Sequence, residues 1–361
     1  MAQTFGRRQT VTMQPSTGNQ VTRVDIGVFA HNEAKGIERT LEALLRQDVT
    51  GMDARILVLA NGCTDDTARL ARTFAQSTTI APSNLKVEVI ELTRGGKSRT
   101  WNSYVHELSR QDAEVLIFTD ADIELPETDS LLRLVKGLTA NPRLHAFNSH
   151  PIKDIVYRPE NLSAMDKVIA MSSETLNDWK TAICGSLYAM PAAKARLLHL
   201  PIGLAVEDGF LRAMILTDAM TMEEDFSRID GGDVFHVFAS ERSVSALIRH
   251  QTRIVIGSAI NTAVFGALHR LPKDQHYKEL ARAASQDNWL NEMIRSQLPR
   301  WPDGWIPLHY LTKRIKFIAQ QPKKLFHPRH IVVLAVGFVF DLVVYVNAQI
   351  KMTIGVGAGH W

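Results

Sequence analysis

The sequence predicts an α/β protein in which a mainly parallel sheet carries helices on both faces. Four apolar runs are typical of buried strands: 24–30, 54–60, 86–92 and 113–122. They alternate with amphipathic segments at helical spacing: 34–47, 63–76 and 96–109. Thr64 is the expected N-cap of the second helix. This alternation requires crossover connections and therefore parallel strands. All four runs end in polar residues, and the carboxyl ends of parallel strands lie at one edge, where ligands bind.

The polar residues at this edge are amides, a lysine and carboxylates. "HNE" (31–33) follows the first run, "NGCTDD" (61–66) the second, "RGGKS" (94–98) the third, and "DAD" (120–122) ends the fourth. If the strand continues, Asp120 and Asp122 point the same way and repel each other. A nearby cation would relieve that repulsion, so the pair is either a solvated strand end or a divalent metal site.

Composition excludes few classes of protein. The 361 residues allow one large domain or two modest ones, and a hydrophobic fraction of 45% is ordinary for a globular chain. A net charge of +3 is too small to indicate a nucleic acid partner. Cys63 and Cys184 follow no metal-ligand spacing and form no disulfide framework, which fits a reducing compartment.

Two common nucleotide-binding motifs are absent. The "GKS" at 96–98 lacks the glycine that a P-loop requires five positions earlier, where the chain has Glu91. The turn after the first strand, "AHNEAKG", does not match the glycine pattern of dinucleotide-binding folds. A different nucleotide chemistry is therefore expected.

The chain resembles family 2 glycosyltransferases, which have the GT-A fold. Six motifs stand in the family's order over roughly residues 22–255: "VFAHNEAKGIERTLEALL", "LANGCTDDT", "TRGGKSRTWN", "DADI", "GSLYAM" and "VEDGFL". The resemblance implies inverting transfer of a sugar from a nucleotide-diphosphate sugar, usually a UDP-sugar, with Mg²⁺ or Mn²⁺.

The resemblance also implies roles for individual residues. A nucleotide-sugar site is implied for His31, Asn32, Glu33, Asn61, Lys97, Asp120, Gly185, Ser186 and Arg253. Many members of the family carry an acidic residue where this chain has Asn61, close to the base of the donor. Gly185 and Ser186 correspond to the loop beside donor sugar and acceptor, and Arg253 to a residue near the diphosphate.

The metal and the catalytic base are implied in the same way. Asp120 and Asp122 correspond to the family's DxD motif, in which the first residue faces the ribose and the second the metal. His236 is a candidate third metal ligand, and Asp208 corresponds to the base. Simpler alternatives are a surface lysine at Lys97, helix capping at Asp208 and a structural role for His236.

The expected domain order follows from these matches. We expect a tail at 1–21, the GT-A domain at 22–245, a helical basic region at 246–330, a transmembrane or interfacial helix at 331–350 and a short tail at 351–361. About 20 residues suffice for a span, although Asp341 adds roughly 2.5–3.5 kcal/mol and a buried helix is the alternative. The basic flank places the domain on the cytoplasmic side of an inner or plasma membrane.

Single addition to a lipid or lipid-linked glycan is the expected reaction. The region of the family's QxxRW motif, typical of processive synthases, has His250 for the glutamine and Ile254 for the tryptophan. A nucleotidyltransferase and a non-catalytic sugar-nucleotide-binding protein remain alternatives. They differ in the product released: a nucleoside diphosphate for the transferase, pyrophosphate for the first alternative, none for the second.

Overall fold

The computed structural model describes residues 21–77, 85–160, 162–163, 179–298, 304–312 and 328–355, with side chains of the last range from 334 onward. Its strands are β1 Thr22–Ala30, β2 Met52–Asn61, β3 Lys86–Leu92, β4 Val115–Asp120, β5 Ile123–Glu124, β6 Ala146–Lys153, β7 Leu187–Pro191 and β8 Ile229–Phe238. They form one sheet in the order β3-β2-β1-β4-β7-β6-β8-β5.

The sheet is mostly parallel, as the sequence predicts. Strands β3, β2, β1 and β4 are parallel neighbours, and β6 is parallel to β8. Strand β7 is antiparallel to both β4 and β6, and β5 is antiparallel to β8. The parallel half brings the carboxyl ends of β1, β2 and β4 side by side, so Ala30 lies opposite Ala60 and Phe29 opposite Asp120.

Helices surround this sheet and extend beyond it. Their bounds are α1 Ile37–Leu45, α2 Thr67–Ser77, α3 Lys97–Ser103, α4 Ser130–Thr139, α5 Asp154–Tyr157, α6 Ala192–Ala195, α7 Glu207–Thr217, α8 Val244–Leu268, α9 His276–Ser285, α10 Trp289–Gln297 and α11 Pro328–Thr353. Helix α3 continues into a π-helical turn, Tyr104–Leu108.

Two hydrophobic cores confirm that both faces of the sheet are covered. Side chains alternate between faces along a strand. In β2, Ile56 and Val58 belong to the core beneath α1 and α4, whereas Leu57 and Leu59 belong to the core that contains α3 and α7. The second core is continuous with the C-terminal helices, so the helical region and the α/β domain share one packed interior.

The C-terminal helix α11 packs against α8. Val344, Ala348 and Met352 are buried in the same core as Val264 and Leu268. Within the described residues, α11 is the one unbent helix that is long and apolar enough to cross a membrane.

Candidate active site

Lys97 lies at the centre of the polar edge. It is the first residue of α3, and its Nζ lies 2.7 Å from Oδ1 of Asp120 and 3.3 Å from Oε1 of Glu207. The same ammonium donates to the carbonyl oxygen of Gly185 at 3.4 Å. One lysine therefore joins the turn after β3, the end of β4, the loop before β7 and the start of α7.

The charge balance at Lys97 favours the protonated amine. Burial alone would lower the pKa of Lys97, but the carboxylates of Asp120 and Glu207 outweigh it and raise the pKa above its usual value. Its side chain is only 17% exposed, so water screens these interactions weakly. Lys97 is therefore a fixed positive charge at the sheet edge.

The two aspartates do not continue one strand. Strand β4 ends at Asp120, a turn follows, and Asp122 is exposed. Burial and the neighbouring Asp122 raise the pKa of Asp120 to about 6, although Lys97 acts in the opposite direction. Sequence reasoning expected a cation to relieve the pair, and for Asp120 the structure provides Lys97 in that role.

Glu33 adds a third carboxyl group to this edge. Burial, together with the charges of Asp122, Asp120 and Asp65, raises its pKa to about 7. A Cβ built on Gly36 would lie 3.9 Å from Oε2 of Glu33 and 4.0 Å from the carbonyl oxygen of Ala121. The Glu33 carboxyl group thus faces the turn that holds Asp120 and Asp122.

The loop after β1 is fixed to the loop after β2. His31 donates from Nδ1 to the carbonyl oxygen of Asn61 at 2.6 Å, and its Nε2 accepts from the amide of Asn32 at 3.2 Å. Asn32 has a φ of 58°, and its Oδ1 accepts from the backbone N–H of Thr64 at 2.8 Å. The predicted N-cap role of Thr64 is wrong, because α2 begins at Thr67 and Thr64 contacts Asn32 instead.

Asn61 lies where the turns after β2 and β3 meet. The residue is 4% exposed, and within the described residues its Oδ1 has no hydrogen-bond partner. Gly62 has a φ of 56°, and a Cβ there would lie 2.8 Å from Cα of Gly95, so only glycine allows this approach. A buried acceptor without a partner is unfavourable unless a ligand completes it.

Asp208 faces the loop before β7. A Cβ built on Gly185 would lie 3.5 Å from Oδ2 of Asp208, and the carbonyl oxygen of Ser186 accepts from the N–H of Asp120 at 2.9 Å. Burial and the charge of Glu207 raise the pKa of Asp208 to about 6, while Lys97 and Arg253 act in the opposite direction. Asp208 is therefore an ionisable group whose pKa lies nearer neutrality than that of an ordinary carboxylate.

His236 lies in β8 next to Val237, which pairs with Glu124 of β5. It is fully buried in β8, opposite Pro151 of β6, and its Nδ1 lies 3.0 Å from Oγ of Ser149. Burial, together with the charge of His150, lowers its pKa to about 3. Within the described residues, no group of three or more His, Cys, Asp or Glu side chains is arranged to hold a metal ion.

Comparison with known proteins gives these residues a family. Residues 25–184 match the model for "Glycosyl transferase family 2". These residues form a glycosyl transferase family 2 domain. The match includes seven of the predicted site residues: His31, Asn32, Glu33, Asn61, Lys97, Asp120 and Asp122. The other five lie beyond it: Gly185, Ser186, Asp208, His236 and Arg253.

Two solved glycosyltransferase structures are similar to this chain, and one of them has a TM-score above 0.5. A mannosyltransferase from Pyrobaculum calidifontis, in complex with GDP-Man and Mn²⁺, is 19% identical in sequence, with a TM-score of 0.52. The alignment covers 90% of this chain and 86% of the mannosyltransferase chain. A glucosyl-3-phosphoglycerate synthase from Mycobacterium tuberculosis, in complex with Mn²⁺, UDP-glucose and glycerol 3-phosphate, is 18% identical with a TM-score of 0.45, covering 66% and 78%. No curated protein sequence matches the chain. The first likeness shows the GT-A fold.

The family 2 site leaves room for a metal held mainly by substrate. Asp122 is exposed at the edge, and Glu33 faces the same turn. Hard divalent cations such as Mg²⁺ bind through one or two carboxylates together with phosphate oxygens. The residues present fit that mode of binding. Nε2 of His236 is buried and has no hydrogen-bond partner among the described residues, so a third protein ligand at His236 stays a prediction.

Sequence reasoning missed the residues that hold the start of α7. Asn261 of α8 donates from Nδ2 to the carbonyl oxygen of Val206 at 3.0 Å. A Cβ on Gly257 would lie 2.3 Å from Cγ2 of Val206, so α8 approaches the residue before Glu207 as closely as a glycine allows. A glycine inside a long apolar helix was the available signal, since such a glycine often marks close packing.

Proposed function

We propose that the chain is an inverting glycosyltransferase that transfers one sugar from a UDP-sugar to an acceptor hydroxyl group with a divalent metal. The observation that carries this proposal is the position of Asp208 beside Gly185, within the carboxylate cluster at Lys97. A carboxylate with a pKa of about 6 at the edge of a family 2 domain has the properties of a general base.

Asp208 would accept the proton of the acceptor hydroxyl group. The hydroxyl oxygen would form a bond to the anomeric carbon from the face opposite the nucleotide, while the bond between that carbon and the diphosphate oxygen breaks. One displacement of this kind inverts the configuration. The electron pair leaves with the nucleoside diphosphate, and positive charges near the diphosphate favour its departure.

Two cationic side chains and one metal would neutralise the diphosphate. Lys97 is fixed at the sheet edge, and Arg253 of α8 is close enough to lower the pKa of Asp208. Asp122, with Glu33 beside it, would hold Mg²⁺ or Mn²⁺, which supplies charge neutralisation of the leaving group. Asp120 would face the ribose, and His31 and Asn32 would contact the nucleoside.

The base of the donor is the least constrained part of the proposal. Asn61 presents a neutral amide, and its buried Oδ1 accepts no hydrogen bond from a described residue. Uracil offers both a donor and an acceptor on one edge, which an amide can pair with. Because the mannosyltransferase of similar fold is in complex with GDP-Man, GDP-sugars belong in the test.

The proposed acceptor is a lipid or lipid-linked glycan at the cytoplasmic face of an inner or plasma membrane. The apolar helix α11 and the basic sequence before it support membrane association. His250 and Ile254 replace the two defining residues of the processive motif, which supports a single addition.

Thermal stabilisation by nucleotide sugars tests the proposal. The purified chain is heated with UDP- and GDP-sugars, with and without Mn²⁺, and a ligand at about 100 times its Kd adds roughly 2.7 kcal/mol of stability. We expect stabilisation by one donor that depends on Mn²⁺ and is lost in Asp122→Ala but kept in Asp274→Asn, an exposed aspartate in the loop before α9.

The products then separate the alternatives. Release of a nucleoside diphosphate with acceptor present supports transfer. Release of pyrophosphate from a nucleoside triphosphate and a sugar phosphate, supplied in a parallel assay, would identify a nucleotidyltransferase. Stabilisation without any product in either assay would identify a binding protein.

A further inference from the structure

The outer face of α11 is an exposed aliphatic stripe. Its members recur every three or four residues and carry no polar group: Val336, Val339, Leu342, Val343, Val346 and Ile350. Their exposure ranges from 39% at Val343 to 64% at Val336. From Val336 to Ile350 the stripe is about 21 Å long at 1.5 Å per residue. Soluble chains seldom expose a continuous apolar patch of this kind without a partner.

The opposite face of α11 is attached to the body of the protein. Gln349 accepts at Oε1 from the N–H of Trp305 at 2.9 Å and donates from Nε2 to the carbonyl oxygen of Ile306 at 3.0 Å. The hydroxyl of Tyr345 donates to the same Ile306 oxygen at 3.0 Å. These bonds fix the C-terminal half of the helix against the segment 304–306.

The attached length leaves too little helix for a span. Among the side chains of α11 that the structure describes, from 334 onward, those packed on the core run from Phe340 to Met352. The preceding part, 328–339, is about 18 Å long at 1.5 Å per residue, whereas the hydrocarbon layer is about 30 Å thick. The attached part of the helix therefore presents only one side to its surroundings.

The sequence flanking α11 indicates what covers the stripe. From Gly304 to Phe340 the chain contains six lysines and arginines and no acidic residue. Such flanks favour anionic lipid headgroups, and an apolar face beside them favours the acyl boundary. We propose that α11 lies in the plane of an anionic bilayer, with the outer stripe in the lipid, and does not cross it.

Vesicle flotation tests whether lipid covers the outer stripe of α11. Purified full-length protein is added to preformed vesicles of phosphatidylcholine alone or with 30% phosphatidylglycerol added. We expect flotation with the anionic vesicles and at least about tenfold weaker partition for Val339→Glu, since one aliphatic contact is replaced by a charge. The matched control is Leu197→Glu, because Leu197 is 53% exposed, close to the 59% of Val339, and lies on the loop after α6. Equal flotation of both variants would overturn the proposal.

Measuring the depth of α11 in the bilayer distinguishes an in-plane helix from a transmembrane helix. Cys63 and Cys184 are first replaced by serine. A single cysteine is then introduced at one of three positions, Val336, Val343 or Ile350, and labelled with a fluorophore. Quenchers attached to lipids at known depths report how deep each label lies. The three positions lie on one stripe at intervals of seven residues, so an in-plane helix gives three similar depths. A deep Val343 between two shallow ends would show a span and overturn the proposal.

A second copy of the chain is the other candidate to cover the stripe. In that case the wild type is dimeric without lipid by light scattering, Val339→Glu is monomeric, and vesicles do not bind. None of these readouts depends on sugar transfer, so a failure here leaves the proposed reaction to its own test.

Discussion

The ammonium of Lys97 and the carboxylate of Asp120 form an ion pair of 2.7 Å between the start of α3 and the end of β4. The pair explains how an apolar strand can end in two neighbouring aspartates. One of them is neutralised inside the protein, and the other, Asp122, is left exposed for a ligand. The structure thus gives two residues of one motif different surroundings.

Replacing Lys97 by methionine should destabilise the fold. The carboxylates of Asp120 and Glu207 would lose their counter-charge, and breaking one side of a buried pair costs about 3–5 kcal/mol. Urea unfolding measures the loss. The double variant Lys97→Met/Asp120→Asn should recover part of it, because one uncompensated charge is removed. Additive losses in the double variant would show that the pair is not coupled.

Asp208→Asn should abolish most turnover without preventing donor binding. The amide keeps the shape of the side chain but takes no proton, and general-base catalysis contributes about 10²–10⁴-fold. Initial rates give kcat, and thermal stabilisation by the donor reports binding. Asp274→Asn is the control and should leave both unchanged. A kcat within a factor of two of wild type would remove Asp208 from the base role.

The pH profile of kcat/KM for the donor should report the same group in the free enzyme. Since the pKa of Asp208 is raised to about 6, the base is protonated below that pH, and log kcat/KM should rise with a slope near one until about pH 6 and then level off. Initial rates from pH 4.5 to 8.5 at limiting donor give the curve. A plateau that already begins below pH 5 would contradict an essential base with this pKa.

Stability without ligand should fall as pH rises from about 4.5 to 7.5. The pKa of Glu33 is raised in the folded state to about 7 from 4.5, so in this interval the folded chain binds more protons than the unfolded chain. Folding is then favoured at the acidic end of the interval. Thermal unfolding of the wild type and Glu33→Gln across this range tests the sign, and the variant should show a weaker pH dependence.

Gly257→Ala should impair catalysis through the position of Asp208. The new methyl group would clash with Val206, which directly precedes Glu207 and Asp208, so the start of α7 must shift. We expect kcat to fall at least about tenfold, because small displacements at a reacting centre slow the reaction strongly. The KM for the donor should stay nearly unchanged. Gly266→Ala is the matched control in the same helix, because no atom lies within 4 Å of its Cβ. It should be neutral or stabilising.

The first half of the fold could be predicted because each strand and helix carries its own pattern. The four buried strands and the polar groups that follow them were found close to their actual positions. Strand β6 was not predicted, since "AFNSHPIK" is largely polar and contains Pro151. Strand β7, Leu187–Pro191, begins within the "GSLYAM" motif, at its third residue.

Contacts between distant segments could not be predicted. Lys97 stands 23 positions before Asp120, and nothing in the spacing of either shows that they pair. Thr64 has the side chain of an N-cap, but Asp65 accepts from the N–H of Thr67 at 3.0 Å and the helix starts there. The approach of Gly257 to Val206 joins positions about fifty residues apart and appears only in the folded chain.

Helix α8 contacts both the segment before Asp208 and the inner side of α11. The distance from the outer stripe to the carboxylate of Asp208 is therefore set by one continuous helix and its side chains. If the stripe is inserted in a bilayer, that distance determines the height above the lipid surface at which the acceptor oxygen must be placed to reach Asp208. Acceptors would then be selected by the length of their head group as well as by its chemistry.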